Sequence, residues 1–385
     1  MTGWRECKLG DVINLKRGYD LPQQRRNAGP FPIVSSSGVT DYHIEAKVKG
    51  PGVVTGRYGT LGEVFYIQGD FWPLNTSLYV QDFKGNDPRF VSFFLRQLNF
   101  GTKNAAGAVP GVNRNHLHAM DVRIPSLPVQ RRIAGILSAY DDLIENNQRR
   151  LKILEEMART LYREWFVLFR FPGHDKVKMV PSPLDPIPQG WKVMKLGEIA
   201  EVFRGRSYRS VDLADEGGLP FLNLKCLDRD GGFRRSGLKR YTGEYGDNHV
   251  AKKGDIIVAV TDMTQERRIV ARAAWVPSLD QDFGVFSMDL VRIEPKSPVP
   301  TSFLYFFLRF SPFADEVKQH ANGANVLHLS PDRIRDYRFT VPSAKLMDRF
   351  ASLVGPSLEL TDTLENQNEA LRRTRDLLLP RLLNP

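Results

Sequence analysis

Few side chains in this 385-residue chain have the type and spacing to do chemistry. Glu45-Ala46-Lys47, with Asp20 or Asp41 upstream, meets the loosest pattern of a metal-dependent nuclease: an acid, then Glu-x-Lys. The triplet does not sit on a convincing strand, and such triplets arise often by chance. His116 and His118 are two apart, a spacing for a strand and not for one face of a helix. With no third ligand nearby, they make no metal site. Gly56-x-x-Gly59-x-x-Gly62 precedes no clear helix N-terminus, and there is no phosphate-binding P-loop. An Asn/Asp-Pro-Pro-aromatic run, the active-site motif of amino-methyltransferases, is missing. These residues predict a binder and not an enzyme; a stand-alone metal-dependent DNA nuclease is the alternative, and a pure coiled-coil scaffold is a third class.

The basic residues are better organised. The first half has Lys16-Arg17, Arg25-Arg26 and Arg57; the second has Arg204, Arg206, Arg209, Arg234-Arg235, Lys239-Arg240 and Arg267-Arg268. Most fall in stretches flanked by Gly, Tyr, Ser or Asn. Arg and Lys hold phosphates, while Arg, Asn and Gln read base edges. The formal net charge of +10 and pI near 9.5 point the same way, to a polyanionic partner and nucleic acid before membrane. The candidate contacts are Arg25, Arg26, Arg57, Tyr58 and Asn75 in the first half. In the second they are Arg206, Arg209, Arg234, Arg235, Thr261 and Arg267.

The elements that must carry these residues repeat. Gly3-Trp4, Lys8-Leu9-Gly10 and Arg17-Gly18 return at one interval as Gly190-Trp191, Lys195-Leu196-Gly197 and Arg204-Gly205. Lys49-Gly50 answers Lys253-Gly254, Phe93-Phe94-Leu95-Arg96 answers Phe306-Phe307-Leu308-Arg309, and Val122 to Pro125 answers Phe339 to Pro342. The interval grows along the chain, so the second copy carries insertions. Val53 to Thr55, Val64 to Ile67, Leu78 to Val80, Val122 to Ile124 and Ile256 to Val260 read as strands. Asp87-Pro88 opens a helix that Gly101 ends, followed by a Gly/Ala/Pro loop from Asn104 to Asn113; Pro300-Thr301 opens a second helix. The order fits no regular βαβ alternation, so each copy is read as α+β.

A long helix follows each globular part. In the first, Ile133, Leu137, Tyr140, Ile144, Leu151, Leu154, Ala158, Leu161 and Trp165 alternate steps of four and three, with Asn147 in one polar seat. The second runs Leu346, Phe350, Leu353, Ser357, Leu360, Leu364, Gln367, Leu371, Thr374 and Leu378, with Pro380 expected to stop it. Asn147 and Gln367 are read as matching seam amides, so the two helices can pair within one chain. The expected parts are a first α+β domain at 1–126, a helix at 127–169, a proline-rich linker at 170–189, a second domain at 190–342 and a helix at 343–385. Two cysteines, Cys7 and Cys226, make neither a disulfide framework nor a zinc site. With no signal-peptide core and no membrane-length apolar run, the expected location is cytoplasmic.

These features together resemble the specificity (S) subunit of type I restriction–modification systems. The resemblance is carried by the repeated Gly-Trp…Lys-Leu-Gly opening, Val54-Thr55-Gly56-Arg57-Tyr58-Gly59-Thr60, Gln130-Arg131-Arg132-Ile133, Glu145-Asn146-Asn147 and Leu377-Leu378-Leu379-Pro380. It implies two target-recognition domains at opposite ends of an antiparallel helical pair, with no catalytic site in the chain. It implies double-stranded DNA and two modification (methyltransferase) subunits as partners, joined by restriction subunits, and no membrane. It implies no cofactor on this chain: S-adenosylmethionine belongs to the modification subunits, ATP and Mg to the restriction subunits. Arg149, Arg150 and Arg372, on exposed helix faces, are the expected docking residues. Gly56 to Thr60 is replaced by Ala259-Val260-Thr261-Asp262-Met263 in the second copy, so a role for Arg57 does not carry across.

Overall fold

The computed structural model describes residues 3–98 and 111–383. Gly101 and most of the Asn104 to Asn113 loop lie outside them. The chain divides into two compact units, Met1–Asn147 with Gln367–Pro385, and Gln148–Asn366. Each unit contains one α+β domain and a stretch of both long helices.

In the first unit the opening strand Trp4–Lys8 pairs antiparallel with the closing strand Asp121–Pro125, so the domain begins and ends on one ladder. The four-residue helix Leu9–Val12 follows and buries Leu9 and Val12. A four-stranded antiparallel sheet then forms in the order Asn14–Arg17, Ser77–Asp82, Gly52–Gly56, Val64–Ile67. A three-stranded sheet orders Gly38–His43, Phe31–Ser35 and Trp72–Pro73. The helix Pro88–Leu98 starts where expected: Asp87 Oδ1 accepts from the Phe90 N–H at 2.8 Å, with proline at the first helical position. It buries Phe90, Val91, Phe93, Phe94 and Leu95 against the sheet. Ile133 and Leu137 of the first long helix and Leu383 of the second close the same core.

The second unit rebuilds this frame. Lys192–Lys195 pairs with Arg338–Val341, Leu196–Ile199 repeats the short helix, and Ala200–Arg204, Leu290–Pro295, Ile256–Ala259, Ala273–Trp275 repeat the sheet order. The insertions build a larger second sheet, in the order Leu213–Ala214, Lys239–Tyr241, Leu219–Leu222, Phe283–Phe286, Val250–Lys252. The proline-rich connection is packed and not a free tether. Met179–Val180 pairs with Ile187–Pro188, and Phe171 and Ile187 are buried beside Trp191 in the main core.

The long helices span Leu127–Tyr162 and Ala344–Leu383. They run antiparallel in both units: Asp141 meets Arg375 and Asn147 meets Asn368 in the first, and Tyr162 and Trp165 meet Phe350 in the second. In the first seam Ile133, Leu137, Ile144, Asn147, Ala158 and Trp165 are buried as the period predicts, while Tyr140, Leu151, Leu154 and Leu161 are half-buried and Tyr162 is buried beside Leu161. The second seam is corrected at three seats, the last being Thr374, which is exposed. Leu353 is 51% exposed and Val354 takes the core, while Asn368 is buried and Gln367 faces out. Asn147 Nδ2 donates to Asn368 Oδ1 at 3.1 Å, with Gln367 Oε1 more distant at 3.5 Å. Two apolar neighbours, Leu353 and Val354, and two amides, Gln367 and Asn368, left the seam register ambiguous by one position. Pro380 does not stop the helix, which continues to Leu383. A proline forfeits one backbone hydrogen bond, and here the next turn seats Leu382 and Leu383 in the first unit's core as compensation.

Candidate nucleic-acid interface

The turn between strands Gly52–Gly56 and Val64–Ile67 holds Arg57 and Tyr58. A Cβ on Gly56 would lie 1.8 Å from the Thr60 carbonyl oxygen, so only glycine lets the chain turn there. The Arg57 N–H donates to Thr76 O and the Val112 N–H donates to Arg57 O, both at 2.9 Å. Tyr58 bridges Gly111, is 40% exposed, and carries the Arg57 guanidinium 4.6 Å from its ring centroid. A guanidinium stacked on an open phenol ring joins a cation to a flat apolar face, the pairing that suits phosphates and bases together. Asn75, one residue before Thr76, donates to Asp20 Oδ1, and Arg17 lies 3.3 Å from the same oxygen.

Arg25 closes a short 3-10 turn, Gln23–Arg25, and is exposed. Arg26 is half-buried: it donates to the Leu21 carbonyl at 3.4 Å and faces Asp41 at 3.5 Å. It braces the loop that presents Arg25.

The equivalent turn of the second unit keeps the backbone pairings at its base, but with Ala259 where Gly56 stands the chain beyond them takes another path and carries other side chains. The Leu329 N–H donates to Val260 O at 2.8 Å, the bond made by Val112 and Arg57 in the first unit. Thr261 pairs with His328 where Tyr58 meets Gly111, but Thr261 is buried. It holds the turn and offers no side chain to a ligand. Buried Asp262 accepts from Thr264 N at 2.8 Å, Thr264 Oγ1 at 2.9 Å and Ile269 N at 3.0 Å, closing a loop that presents Arg267 and Arg268. Arg267 has a left-handed backbone, φ 53°, and donates to Gln319 at 3.1 Å. Asp262 is the organiser that inspection of basic clusters overlooked; the Asp-x-Thr spacing of a side-chain-capped turn was its only signal.

The remaining basic positions separate by exposure. Arg209 is 82% exposed, with Asp212 3.7 Å away. Arg234 is exposed and anchored through Nε to the Lys225 carbonyl at 2.8 Å. Arg206 is half-buried, its backbone paired with Phe286 and Met288 and its Nε enclosed without a hydrogen-bond partner. Arg235 turns away, onto Asp362 and Glu365 of the second long helix.

The residues of the nuclease-like pattern do not assemble. Glu45 lies 3.9 Å from Lys47, whose ammonium sits over Trp72, while Asp20 and Asp41 engage Asn75 and Arg26. His116 and His118 lie on a short helix, Arg114–His118, and not on a strand. His118 Nε2 accepts from the Leu15 N–H at 2.9 Å, and burial pulls its pKa down. Among the described residues no group of three His, Cys, Asp or Glu side chains could hold a metal ion. No described helix is long and apolar enough to cross a membrane.

On the long helices, Arg149, Arg150 and Arg372 are exposed. Beside the seam, Val129, Ile136, Leu143 and Met157 are also exposed, on a seven-residue spacing whose remaining seat is Arg150; Ile153 lies on the same side.

The chain is 26% identical over 304 residues to the specificity subunit of the MjaIX type I restriction enzyme from Methanocaldococcus jannaschii, covering 76% of this chain and 65% of that protein. The aligned region is thus just under two thirds of that relative's length. It is 22% identical to the HindI specificity subunit of Haemophilus influenzae, over 100% of this chain and 99% of that one. The crystal structure of a type I restriction–modification S subunit from M. genitalium shares the fold, with a TM-score of 0.67 at 15% identity, over 100% of this chain and 97% of that one. The family described as type I restriction modification DNA specificity domain matches residues 1–156 and again 188–367. With one family domain in each half on a paired helical frame, this chain belongs to the type I restriction–modification specificity subunits.

Proposed function

We propose that the chain is the non-catalytic subunit that recognises an asymmetric, bipartite DNA site for a type I restriction–modification complex. The observation that carries this reading is one frame built twice with different polar side chains at the same turn. Arg57 and Tyr58 stand there in the first unit; Thr261 and the Asp262-closed Arg267 loop stand there in the second. Equivalent frames present equivalent approaches to a duplex, and different side chains read different bases. Exposed Arg25, Arg209 and Arg234 suit phosphates, whose contacts position a protein without carrying sequence information.

The partners in this reading are double-stranded DNA, two modification subunits and the restriction subunits that join them. S-adenosylmethionine is held by the modification subunits, ATP and Mg by the restriction subunits, and none by this chain. The exposed Val129, Ile136, Leu143 and Met157 stripe supports docking of partner helices, since it is a second apolar seam at coiled-coil spacing. Arg149, Arg150 and Arg372 flank such a contact, and reversing all three charges should weaken assembly while leaving the fold intact.

The test is genome-wide mapping of methylated adenines in the host with and without the gene. Loss of one motif made of two different short half-sites around a fixed unread spacer is expected. A continuous or perfectly palindromic motif would overturn the reading. The purified chain with metal, ATP and methyl donor should neither cleave nor methylate DNA; cleavage lost in Glu45→Ala would restore the nuclease alternative.

A further inference from the structure

We infer that Arg235 is a positioning residue: it latches the second domain to its helices at Asp362 and fixes the angle at which that domain meets DNA. The inference rests on the function proposed above. Arg235 lies between the repeated Arg-Gly and Lys-Gly pairs, in the segment enlarged in the second copy. Its guanidinium reaches three groups: Asp362 Oδ1 at 2.7 Å, Glu365 Oε2 at 3.3 Å and the Ser278 carbonyl at 2.8 Å. Asp362 also accepts from Ser278 N at 3.0 Å and Ser278 Oγ at 2.9 Å, and Lys253 Nζ lies 3.2 Å from its second oxygen. The Arg235 side chain is 19% exposed and that of Asp362 7%. A planar fork held at three points in a nearly dry site defines an orientation as well as an attraction.

Two further observations separate a positioning device from an ordinary surface ion pair. A cavity of about 250 Å³ lies beside the latch, with Trp275, Tyr305 and Phe306 of the domain on one side and Leu154, Ala158 and Leu358 of the helices on the other. Apolar packing is therefore incomplete beside the latch, although Phe306 meets Phe350 at 5.9 Å. Asp362 and Glu365 line the cavity, and Arg309, also on its wall, reaches Glu155 of the first long helix. Second, the first unit uses the same helix position. Aligning Glu145-Asn146 with Glu365-Asn366 places Asp142 opposite Asp362, and Arg89 meets Asp142 at 2.9 Å. Arg89 comes from the helix Pro88–Leu98, whereas Arg235 comes from a loop of the inserted segment. Both copies bring an arginine to the same acid from non-equivalent elements, as expected when the anchor point itself is what the architecture requires.

A bipartite reader needs a fixed angle to hold its half-sites at one spacing. The experiment uses the full chain assembled with its cognate modification subunits, on DNA carrying both half-sites with spacers one and two base pairs shorter and longer than the natural one. In Arg235→Met, methylation at the altered spacers should rise about tenfold relative to the natural spacer, with both half-site sequences unchanged. Arg235→Lys should be intermediate, retaining charge without the fork. Asp362→Asn, which keeps a hydrogen-bonding group for Ser278, should reproduce Arg235→Met and provides the measurement should that variant not fold. Hydrogen exchange on the chain alone should show the Arg234 and Gly237 amides opening faster, a readout that does not depend on the proposed function. Unchanged spacer tolerance in a folded variant overturns the inference. So does a changed base preference in the second half-site, which would make Arg235 a DNA contact, or loss of methylation at every spacer with an intact fold. If the wild-type complex methylates no bipartite site, the proposed function fails, and with it this inference, whatever the latch does.

Discussion

The two units share a frame and differ in how they grip their helices. Each domain begins and ends on one antiparallel ladder, and each braces its third element from the short helix before the closing strand. In the first unit His118 accepts from the backbone N–H of Leu15; in the second Arg335 donates to the carbonyl of Val202, at the same place and at 2.9 Å in both. The hydrogen bond survives with its polarity reversed, so the geometry is retained and the residue type is not. The grip diverges further. The first unit holds its helices through aliphatic packing by Leu137 and Leu383, and through Arg96 and Arg375 sharing Asp141. The second sets Phe166, Phe303 and Phe306 around Phe350, and adds the Arg235 cluster. A frame fixed by backbone pairing tolerates such exchange, because loops and inward-facing side chains change without moving the ladders. That freedom lets one repeated plan carry two different polar surfaces.

The largest expected effect comes from removing the centre of the aromatic cluster. Phe350→Ala should cost the second unit about 3–5 kcal/mol. Calorimetry should then show that unit melting first, with the first unit nearly unmoved; a single transition displaced as a whole would show that the units do not unfold separately.

Next, the two helix acids should separate. Asp362→Ala removes one of three partners from a largely buried Arg235 and the acceptor of the Ser278 bonds, and should cost about 2 kcal/mol. Asp142→Ala breaks a pair whose acid is 57% exposed and should cost under about 1 kcal/mol. Equal losses in denaturant titrations would remove the distinction drawn between the two grips.

At the reading surfaces, Tyr58→Ala should relax or weaken the first half-site by roughly 1–3 kcal/mol and leave the second unchanged. Thr261→Ala, at the matching backbone position, should leave DNA selectivity intact and lower only stability. Binding assays on DNA with either half-site scrambled would reverse this contrast if Thr261 reads a base.

The smallest effect concerns acid. Burial opposes ionisation of Asp362, yet the Ser278 hydrogen bonds and the nearby Lys253 and Arg235 hold its pKa below the ordinary value. A depressed carboxyl contributes stability above its unfolded pKa of about 3.9, lost as pH falls through the folded value. Burial raises the Glu365 pKa, so its contribution has the opposite sign: present below about 4.3 and lost as pH rises through the folded value. The second unit should therefore lose the Asp362 contribution only below about pH 4, and Asp362→Asn should abolish that dependence. An acid midpoint shared by wild type and Asp362→Asn would show that other groups govern it.

The sequence by itself determined what is periodic or locally encoded. The duplication, the strands at Gly52–Gly56 and Ile256–Ala259, the Asp87-Pro88 helix start and the first helical seam all follow from spacing and short-range sterics. Gly56 marks its turn because a Cβ has no room there. Tertiary structure alone decided which of two adjacent, similar residues faces inward. Leu353 and Val354 are both apolar neighbours, and only the assembled core selects Val354. Arg234 and Arg235 are identical in type and adjacent in sequence, yet one is exposed and the other grips Asp362, far along the chain. Pro380 reads as a stop until the core that receives Leu383 is in place. In each case the deciding energy is a contact between residues distant in sequence, and no local pattern records where such a partner will stand.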